Sequence, residues 1–221
     1  MKTVQKGFTL VEIAIVLVII GLLLGGILKG QEMITQAKIK NVVADFSGIS
    51  AAYYGYQDRY RAIPGDDPNA ASRWSGAVSG DGNGVVAGTY NASCPTTAAA
   101  GTAEACLWWD DLRRAGFVAG NGPKQPFNAV TGILGVQTGN GVTPPGAALG
   151  GFGGLIVCSA NLPDKIATAV DTQMDDGLPD KGTVRAILNT AGPNPDINGT
   201  VTAATSYAET GTNVYTLCRS L

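Results

Sequence analysis

Apolar residues are concentrated in one long run near the beginning of the chain. From residue 8 to residue 28 only Thr9 and Glu12 interrupt the apolar and glycine residues, and the next charge is Lys29. A run of this length is sufficient to cross a hydrocarbon core of ~30 Å as an α-helix. The pattern therefore predicts a membrane-spanning helix over residues 8–28. The carboxylate of Glu12 inside it costs roughly 2.5–3.5 kcal/mol on insertion scales, which marks this residue as functional.

A second apolar pattern, with helical spacing, follows this run. Between residues 39 and 60 apolar side chains recur three or four positions apart, and most of the charged residues lie off their stripe. The spacing predicts an amphipathic continuation of the helix over residues 29–62, with its stripe packed on the rest of the protein. The helix should end near Pro64, since proline disfavours helical geometry in the residue before it. The stripe consists of Ile39, Val42, Phe46, Ile49, Tyr53, Tyr56 and Tyr60.

Residues 63–221 contain most of the 31 glycines and many other turn residues, with short periodic segments between them. This length is sufficient for a globular head with its own core. The expected fold class is α+β: a long N-terminal helix packed on an antiparallel sheet of about four strands. The segments predict helices at 104–114 and 164–174 and strands at 130–136, 155–158, 183–188 and 213–218.

The reactive and charged residues argue against catalysis and against nucleic-acid binding. The chain has no histidine and no Cys-x-x-Cys pair, so the commonest general base and the usual zinc, haem and redox ligands are missing. From Arg61 onward, 9 basic and 13 acidic residues give a net charge of −4. Nonspecific nucleic-acid binding depends on Lys and Arg side chains that neutralise phosphates, and the negative net charge argues against it. We therefore expect a protein that is not an enzyme.

Residues 7–12 read GFTLVE, follow Lys6, and resemble the processing motif of type IV pilins and of the related pseudopilins of type II secretion. The resemblance implies that a prepilin peptidase removes the basic leader, residues 1–7, by cutting between Gly7 and Phe8. It implies that Phe8 is then N-methylated. It also implies that Glu12 serves in assembly by pairing with the N-terminal amine of a neighbouring subunit.

The same resemblance implies a location and a set of partners. The precursor is expected to span the inner membrane once, with its head outside the cytoplasm. Subunits are expected to self-associate into a helical filament, a cell-surface pilus or a periplasmic pseudopilus, with the assembly machinery as a further partner. Many family members carry proline at the position of Lys29. Here Gly21, Gly25 and Gly26 are expected to supply the helix flexibility instead.

Several functions stay open at this stage. Major pilins, minor pilins and pseudopilins share this N-terminus. A membrane-tethered adhesin or binding head would need an exposed apolar or aromatic patch, for which Trp74, Trp108 and Trp109 are the candidates. A conventional signal peptide, cut near Gly25, explains neither Glu12 nor the lysine and glycine that precede the phenylalanine.

The four cysteines all follow the apolar run, and so would lie in an oxidising compartment beyond the membrane. An even number in that setting predicts two disulfides, for which three connectivities are possible. We favour the pair Cys94 and Cys106, which closes a local loop. The remaining pair, Cys158 and Cys218, would tie down the C-terminus.

Two acidic stretches are candidates for cation binding. Asp81 and Asn83 lie in the sequence DGNG, which resembles the start of a calcium loop but lacks the further ligands of an EF-hand. A plain glycine-rich turn is the favoured interpretation there, and calcium is the one cofactor that the pattern suggests. The aspartates at positions 171, 175, 176 and 180 are interpreted as solvated turn carboxylates.

Overall fold

The computed structural model describes Gly7, residues 9–139, Leu149, Phe152, residues 154–198 and residues 204–221. The chain divides into two compact units, Met1–Lys38 and Ile39–Leu221. Residues 1–6 of the predicted leader and Phe8, the predicted methylation site, lie outside the described residues.

The longest element, helix α1, is Leu10–Tyr60. Its buried residues all belong to the second unit and are those of the predicted stripe, with Ala52 added and Tyr60 only half-buried. The helix is followed by Arg61 in a left-handed conformation, with φ of 55°, and by Pro64. The stripe predicted from spacing is thus the face that α1 buries.

Three shorter helices of the second unit lie within the described residues: α2, Ala70–Arg73; α3, Glu104–Arg114; and α4, Asp164–Met174. Helices α3 and α4 have the bounds predicted from the sequence. Every residue of α3 from position 104 to position 112 is buried, although two of them are aspartates. Helix α3 is therefore an interior element of the head, and its polar side chains need partners there.

Four antiparallel strands form one sheet: β1, Leu134–Thr138; β2, Leu155–Pro163; β3, Val184–Leu188; and β4, Val214–Ser220. Their order across the sheet is β1-β2-β4-β3, so the last strand in sequence lies between β2 and β3. The predicted α+β architecture, a long helix with an antiparallel sheet of four strands, is confirmed.

The strand predicted at residues 130–136 begins too early. The side-chain oxygen of Asn128 accepts hydrogen bonds from the N–H groups of Val130 and Gly132, and Thr131 has a positive φ of 66°. These contacts hold the segment in a turn, which an asparagine side chain can stabilise by bonding its own backbone two residues on. Pairing with β2 therefore starts only at Leu134.

The two faces of the sheet bury two different hydrophobic clusters, because successive strand side chains point to opposite faces. The larger cluster contains the stripe of α1, side chains of α3 and α4, and strand residues including Val157, Ala186 and Leu217. The smaller cluster consists of the alternate strand residues, on the opposite face of the sheet, and of side chains from loops. Its members are Tyr90, Leu149, Phe152, Ile156, Cys158, Ala160, Ile187, Ile197 and Cys218.

Both predicted disulfides are present. Cys94 is bonded to Cys106 at the start of α3. Cys158 is bonded to Cys218, and these residues are direct partners across the β2–β4 pair. The second disulfide therefore joins the two central strands. Because β4 is the last strand of the chain, this bond ties down the C-terminus, as predicted.

Candidate functional site

The first turn of α1 brings Thr9 and Glu12 together in a capping box. The backbone N–H and the hydroxyl of Thr9 both donate to Glu12 Oε2, each at 2.7 Å, and the Glu12 N–H donates to Thr9 Oγ1 at 3.3 Å. Each residue thus satisfies a backbone donor of the other at the helix start. Thr9 was not among the residues predicted to matter, although its Thr-x-x-Glu spacing is the signal for this contact.

The apolar side chains that follow Glu12 are exposed. From residue 10 to residue 28, the exposed fraction of the large apolar side chains ranges from 46% at Ile20 to 86% at Leu10. One 18-residue window of α1 has a mean hydropathy of 2.8 and is 0% buried, so its length and composition suffice for a membrane span. A contiguous apolar surface of this kind marks an interaction site for membrane or protein.

Four glycines lie in the same part of α1, at Gly21, Gly25, Gly26 and Gly30. A Cβ atom added at any of them would meet no neighbouring atom within 4 Å. Packing among the described residues therefore does not require glycine at these positions. Beside them, Lys29 forms an exposed ion pair with Glu32 at 2.6 Å, which spans one helical turn.

The predicted calcium candidates, Asp81 and Asn83, lie in a loop built around a different residue, Asp66. Asp66 is buried and accepts hydrogen bonds from the backbone N–H groups of residues 82–84. One oxygen each of Asp66, Asp81 and Glu104 lie within 4.8 Å of one another, while the Asn83 amide donates to Asp81 at 2.8 Å. The structure thus brings Asp81 together with two carboxylates that were not predicted.

The second acidic stretch differs from its prediction as solvated turn carboxylates. Asp171 is 0% exposed, and its Oδ2 accepts the hydroxyl of Tyr207 at 2.5 Å. One oxygen of each of Asp171, Asp175 and Asp176 lies within 4.8 Å of the others. The prediction was wrong for Asp171 because the turn packs back on α4, whose buried face includes that residue.

The tryptophans named as a possible binding patch do not form one. Trp108 and Trp109 belong to α3, and the side chains of both are 0% exposed. Trp74 is half-buried, with its ring 5.3 Å from the ring of Tyr60 and 6.3 Å from that of Tyr56. Trp108 and Trp109 are therefore excluded as candidates for an exposed patch, because α3 is enclosed on nearly every side, which spacing along one helix does not indicate.

A group of buried polar contacts lies close to the C-terminal end of α1. Oδ2 of Asp67 accepts the Tyr56 hydroxyl at 2.7 Å, and the same carboxylate pairs with the guanidinium of Arg73. On α3, Asp111 Oδ2 accepts the N–H of Gly65 at 2.7 Å. Burial raises the pKa of Asp111 to about 7 and also raises the pKa of Tyr56. None of these contacts was predicted.

Comparison with protein families defines the class of the N-terminus. Residues 2–28 match the prokaryotic N-terminal methylation motif. The matched segment includes the basic residues, the predicted cleavage position, Glu12 and the apolar run. The chain therefore carries a pilin-like methylation motif at the start of its long apolar helix.

A particular relative extends this similarity beyond the motif. The chain is 32% identical over 101 residues to the type IV major pilin protein PilE of Neisseria gonorrhoeae. The match covers 42% of this chain and 60% of PilE, so it spans less than two thirds of the relative. The resemblance to type IV pilins that was predicted from residues 7–12 is confirmed by both comparisons.

Proposed function

We propose that this chain is the precursor of a type IV pilin, a structural subunit that is processed and then assembled into a filament. The observation that carries the proposal is the methylation motif at residues 2–28, which leads into a helix with exposed apolar side chains. Lipid before assembly, and neighbouring helices afterwards, would each remove this surface from water. The partial identity with PilE supports the same conclusion.

The proposal gives the chain four segments. Residues 1–7 are a leader that prepilin peptidase removes. Residues 8–28 span the inner membrane and then enter the filament core, and residues 29–62 continue the helix. Residues 63–221 form the head, which lies outside the cytoplasm and finally on the surface of the filament. Cleavage makes Phe8 the N-terminal residue, where it is methylated.

Glu12 is proposed to bind the N-terminal amine of a neighbouring subunit during assembly. Its Oε2 is held by Thr9, whose N–H belongs to the peptide bond with Phe8 and therefore survives cleavage after Gly7. Oε1 makes no hydrogen bond within the part of the chain that the structure describes, and is the atom available to an amine. The pairing would offset the cost of two charges in a low-dielectric filament core.

We expect Glu12→Ala to leave the precursor stable in the membrane while the subunit is absent from filaments, because the amine then lacks its carboxylate. Thr9→Ser keeps the capping hydroxyl and the charge of Glu12, and serves as the matched control that assembles normally. Immunoblots of sheared surface fibres and of membranes measure both variants. A normal amount of Glu12→Ala subunit in the fibres would contradict this role of Glu12.

Mass spectrometry of the mature N-terminus tests the proposed processing directly. The expected product begins with methylated phenylalanine at residue 8. An intact Met1, or a new N-terminus near Gly26, would refute processing at this motif and with it the pilin proposal.

Among the possible subunit types we infer a pilin rather than a pseudopilin, since the relative described above is a type IV major pilin. A major pilin dominates the protein content of sheared surface fibres, whereas a minor pilin is a trace component. Restriction of the mature subunit to the periplasm would indicate a pseudopilin. The burial of Trp108 and Trp109 removes two of the three tryptophans named for the adhesin alternative.

The glycines of α1 are proposed to provide helix flexibility during assembly. Each costs about 1 kcal/mol of helix stability relative to alanine, so positions 21, 25, 26 and 30 together form the weakest stretch of the helix. This stretch takes the place of the proline that many pilins carry at the position of Lys29. The Lys29–Glu32 ion pair is largely exposed, so solvent screens it and it adds little to the stability of the helix.

A further inference from the structure

The loop between α4 and β3 begins with three aspartates that converge. Asp171 lies in the last turn of α4, Asp175 directly follows the helix, and Asp176 is the next residue. One oxygen from each carboxylate lies within 4.8 Å of the other two. Three ionised carboxylates at this separation would repel one another.

Asp171 is the fully buried member of this group. The residue is 0% exposed, and only its Oδ2 has a partner, the hydroxyl of Tyr207. Oδ1 is buried and has no hydrogen-bond partner among the described residues. Burial raises the pKa of Asp171, and the Tyr207 hydroxyl lowers it. The Gly177 N–H also lowers it, by approaching the carboxylate without reaching hydrogen-bond geometry, and the Asp176 and Asp175 carboxylates raise it again. A buried, unpaired carboxylate oxygen is costly.

No basic side chain among the described residues is paired with the group, although Lys181 lies in the same loop. The last turn of α4 contains no basic residue, and its carbonyl groups give that end of the helix a partial negative charge. None of the ion pairs between described residues includes Asp171, Asp175 or Asp176. No ion pair among the described residues neutralises the three carboxylates, and a bound cation would offset both their mutual repulsion and the unpaired oxygen of Asp171.

The two loop aspartates are held in place and still have oxygens to offer. Oδ2 of Asp175 accepts the N–H groups of Thr183 and Val184, which fix it against the start of β3. Oδ1 of Asp176 accepts the N–H of Leu178 at 2.9 Å. The other oxygen of each makes no hydrogen bond among the described residues. The loop thus presents three preorganised carboxylates with one free oxygen apiece.

The other acidic group, around Asp81, lacks this property. Both oxygens of Asp66 and both oxygens of Glu104 accept backbone N–H bonds. Those bonds already compensate the carboxylates, so the Asp66 group is explained as a structural loop. Within the described part of the chain, the two clusters therefore differ in that only the Asp171 cluster has a buried carboxylate oxygen without a partner. Asp81, which belongs to the other cluster, is for this reason a suitable control position.

We propose that Asp171, Asp175 and Asp176 bind one divalent cation that prefers oxygen ligands, and that the cation links the end of α4 to the start of β3. Calcium is the cation of choice, because carboxylates on a loop suit its variable coordination, whereas magnesium demands near-ideal octahedral geometry and dehydrates reluctantly. Binding stabilises the head, since the unfolded chain does not preserve the arrangement of the three carboxylates.

The test is a calcium titration of the full chain in detergent micelles, with thermal unfolding as the readout and ionic strength matched with NaCl. At a hundredfold excess over Kd, the wild type should gain about 5–10 °C in Tm. Asp171→Asn keeps an acceptor for Tyr207 and should lose this gain. Asp176→Asn, at an exposed position, should weaken calcium binding at least about tenfold. Asp81→Asn should respond like the wild type.

Three outcomes would overturn the proposal: no calcium-dependent rise in Tm for the wild type, a full rise in Asp176→Asn, or loss of the rise in Asp81→Asn. If Asp171→Asn fails to fold, the comparison of Asp176→Asn with Asp81→Asn decides the question alone. Calorimetric titration of the wild type should give one calcium ion per chain, and a clearly different stoichiometry would also refute a single site.

Discussion

At the scale of single residues, the interior of the head is held by carboxylates as well as by apolar side chains. Asp67 joins Tyr56 and Arg73, and Asp111 holds the backbone of Gly65. Asp111 is the least compensated of these, because its Oδ1 has no partner among the described residues and burial raises its pKa to about 7. Stability should therefore depend on the protonation of this one side chain.

We expect Asp111 to make the folded protein less stable as pH rises from about 4 to about 7. The raised pKa means that the folded state keeps the proton while the unfolded state, near the ordinary value of 3.8, has released it. The contribution of protonated Asp111 to the free energy of unfolding is complete below pH about 4. It declines by about 1.4 kcal/mol per pH unit between pH about 4 and about 7, and does not change further above pH about 7. Denaturant unfolding of the detergent-solubilised chain at several pH values measures it.

Asp111→Asn is the matched variant for this measurement, because it keeps an acceptor for the Gly65 N–H and cannot ionise. Its stability relative to the wild type should rise across this pH interval and then remain constant. A difference between the two proteins that stays the same from pH about 4 to about 8 would show that Asp111 does not titrate in this way.

At the scale of elements, α1 contains glycines in two different environments. In the Met1–Lys38 unit, the glycines have open space around them. In the second unit, Gly48 is exposed with no atom within 4 Å of an added Cβ, whereas a Cβ at Gly55 would lie 2.8 Å from Cε1 of Phe117. A Cβ at Gly55 would therefore displace the ring of Phe117, whereas a Cβ at Gly48 would displace nothing.

We expect Gly48→Ala to stabilise the head by about 0.5–1 kcal/mol, because alanine is the better helix former at an open position. Gly55→Ala should gain less or destabilise, because the ring of Phe117 must move. Thermal unfolding of both variants in detergent provides the comparison. Equal or greater stability of Gly55→Ala would mean that the contact with Phe117 is easily relieved.

At the scale of the whole molecule, the second unit is a sheet covered on both faces and crosslinked at two places. Helices cover one face, and loop side chains such as Tyr90 and Ile197 cover the other. The Cys158–Cys218 disulfide closes 60 residues of chain and joins the central strands, whereas Cys94–Cys106 closes 12. The two crosslinks should therefore contribute differently to stability.

Replacing Cys158 and Cys218 together by alanine should cost about 4 kcal/mol of unfolding free energy, and replacing Cys94 and Cys106 should cost about 3 kcal/mol. The difference arises because the longer loop restricts the unfolded chain more. Unfolding of the two double variants against the wild type measures both values. A larger loss for the 12-residue loop would indicate that native packing, rather than loop closure, sets the order.

The positions of α3, α4 and three of the four strands were predictable because each is specified by periodicity and by neighbouring turn residues. The start of β1 was not, since the side chain of Asn128 competes with strand pairing for the same backbone groups. The interior positions of Trp109 and Asp171 were missed for a related reason. Spacing along one element shows which residues share a face but not how many faces are covered.

The order of residues along the chain was sufficient to predict the motif of residues 7–12, the apolar run and the buried stripe of α1, because each depends on spacing within one segment. The tertiary structure decided which distant groups meet. The contact of Asp111 with Gly65 and the convergence of Asp66 with Glu104 join residues 38 or more positions apart. The Tyr207 contact that buries Asp171 likewise joins α4 to the loop before β4. Such contacts arise only when the head folds, because desolvation and pairing depend on the complete set of neighbours.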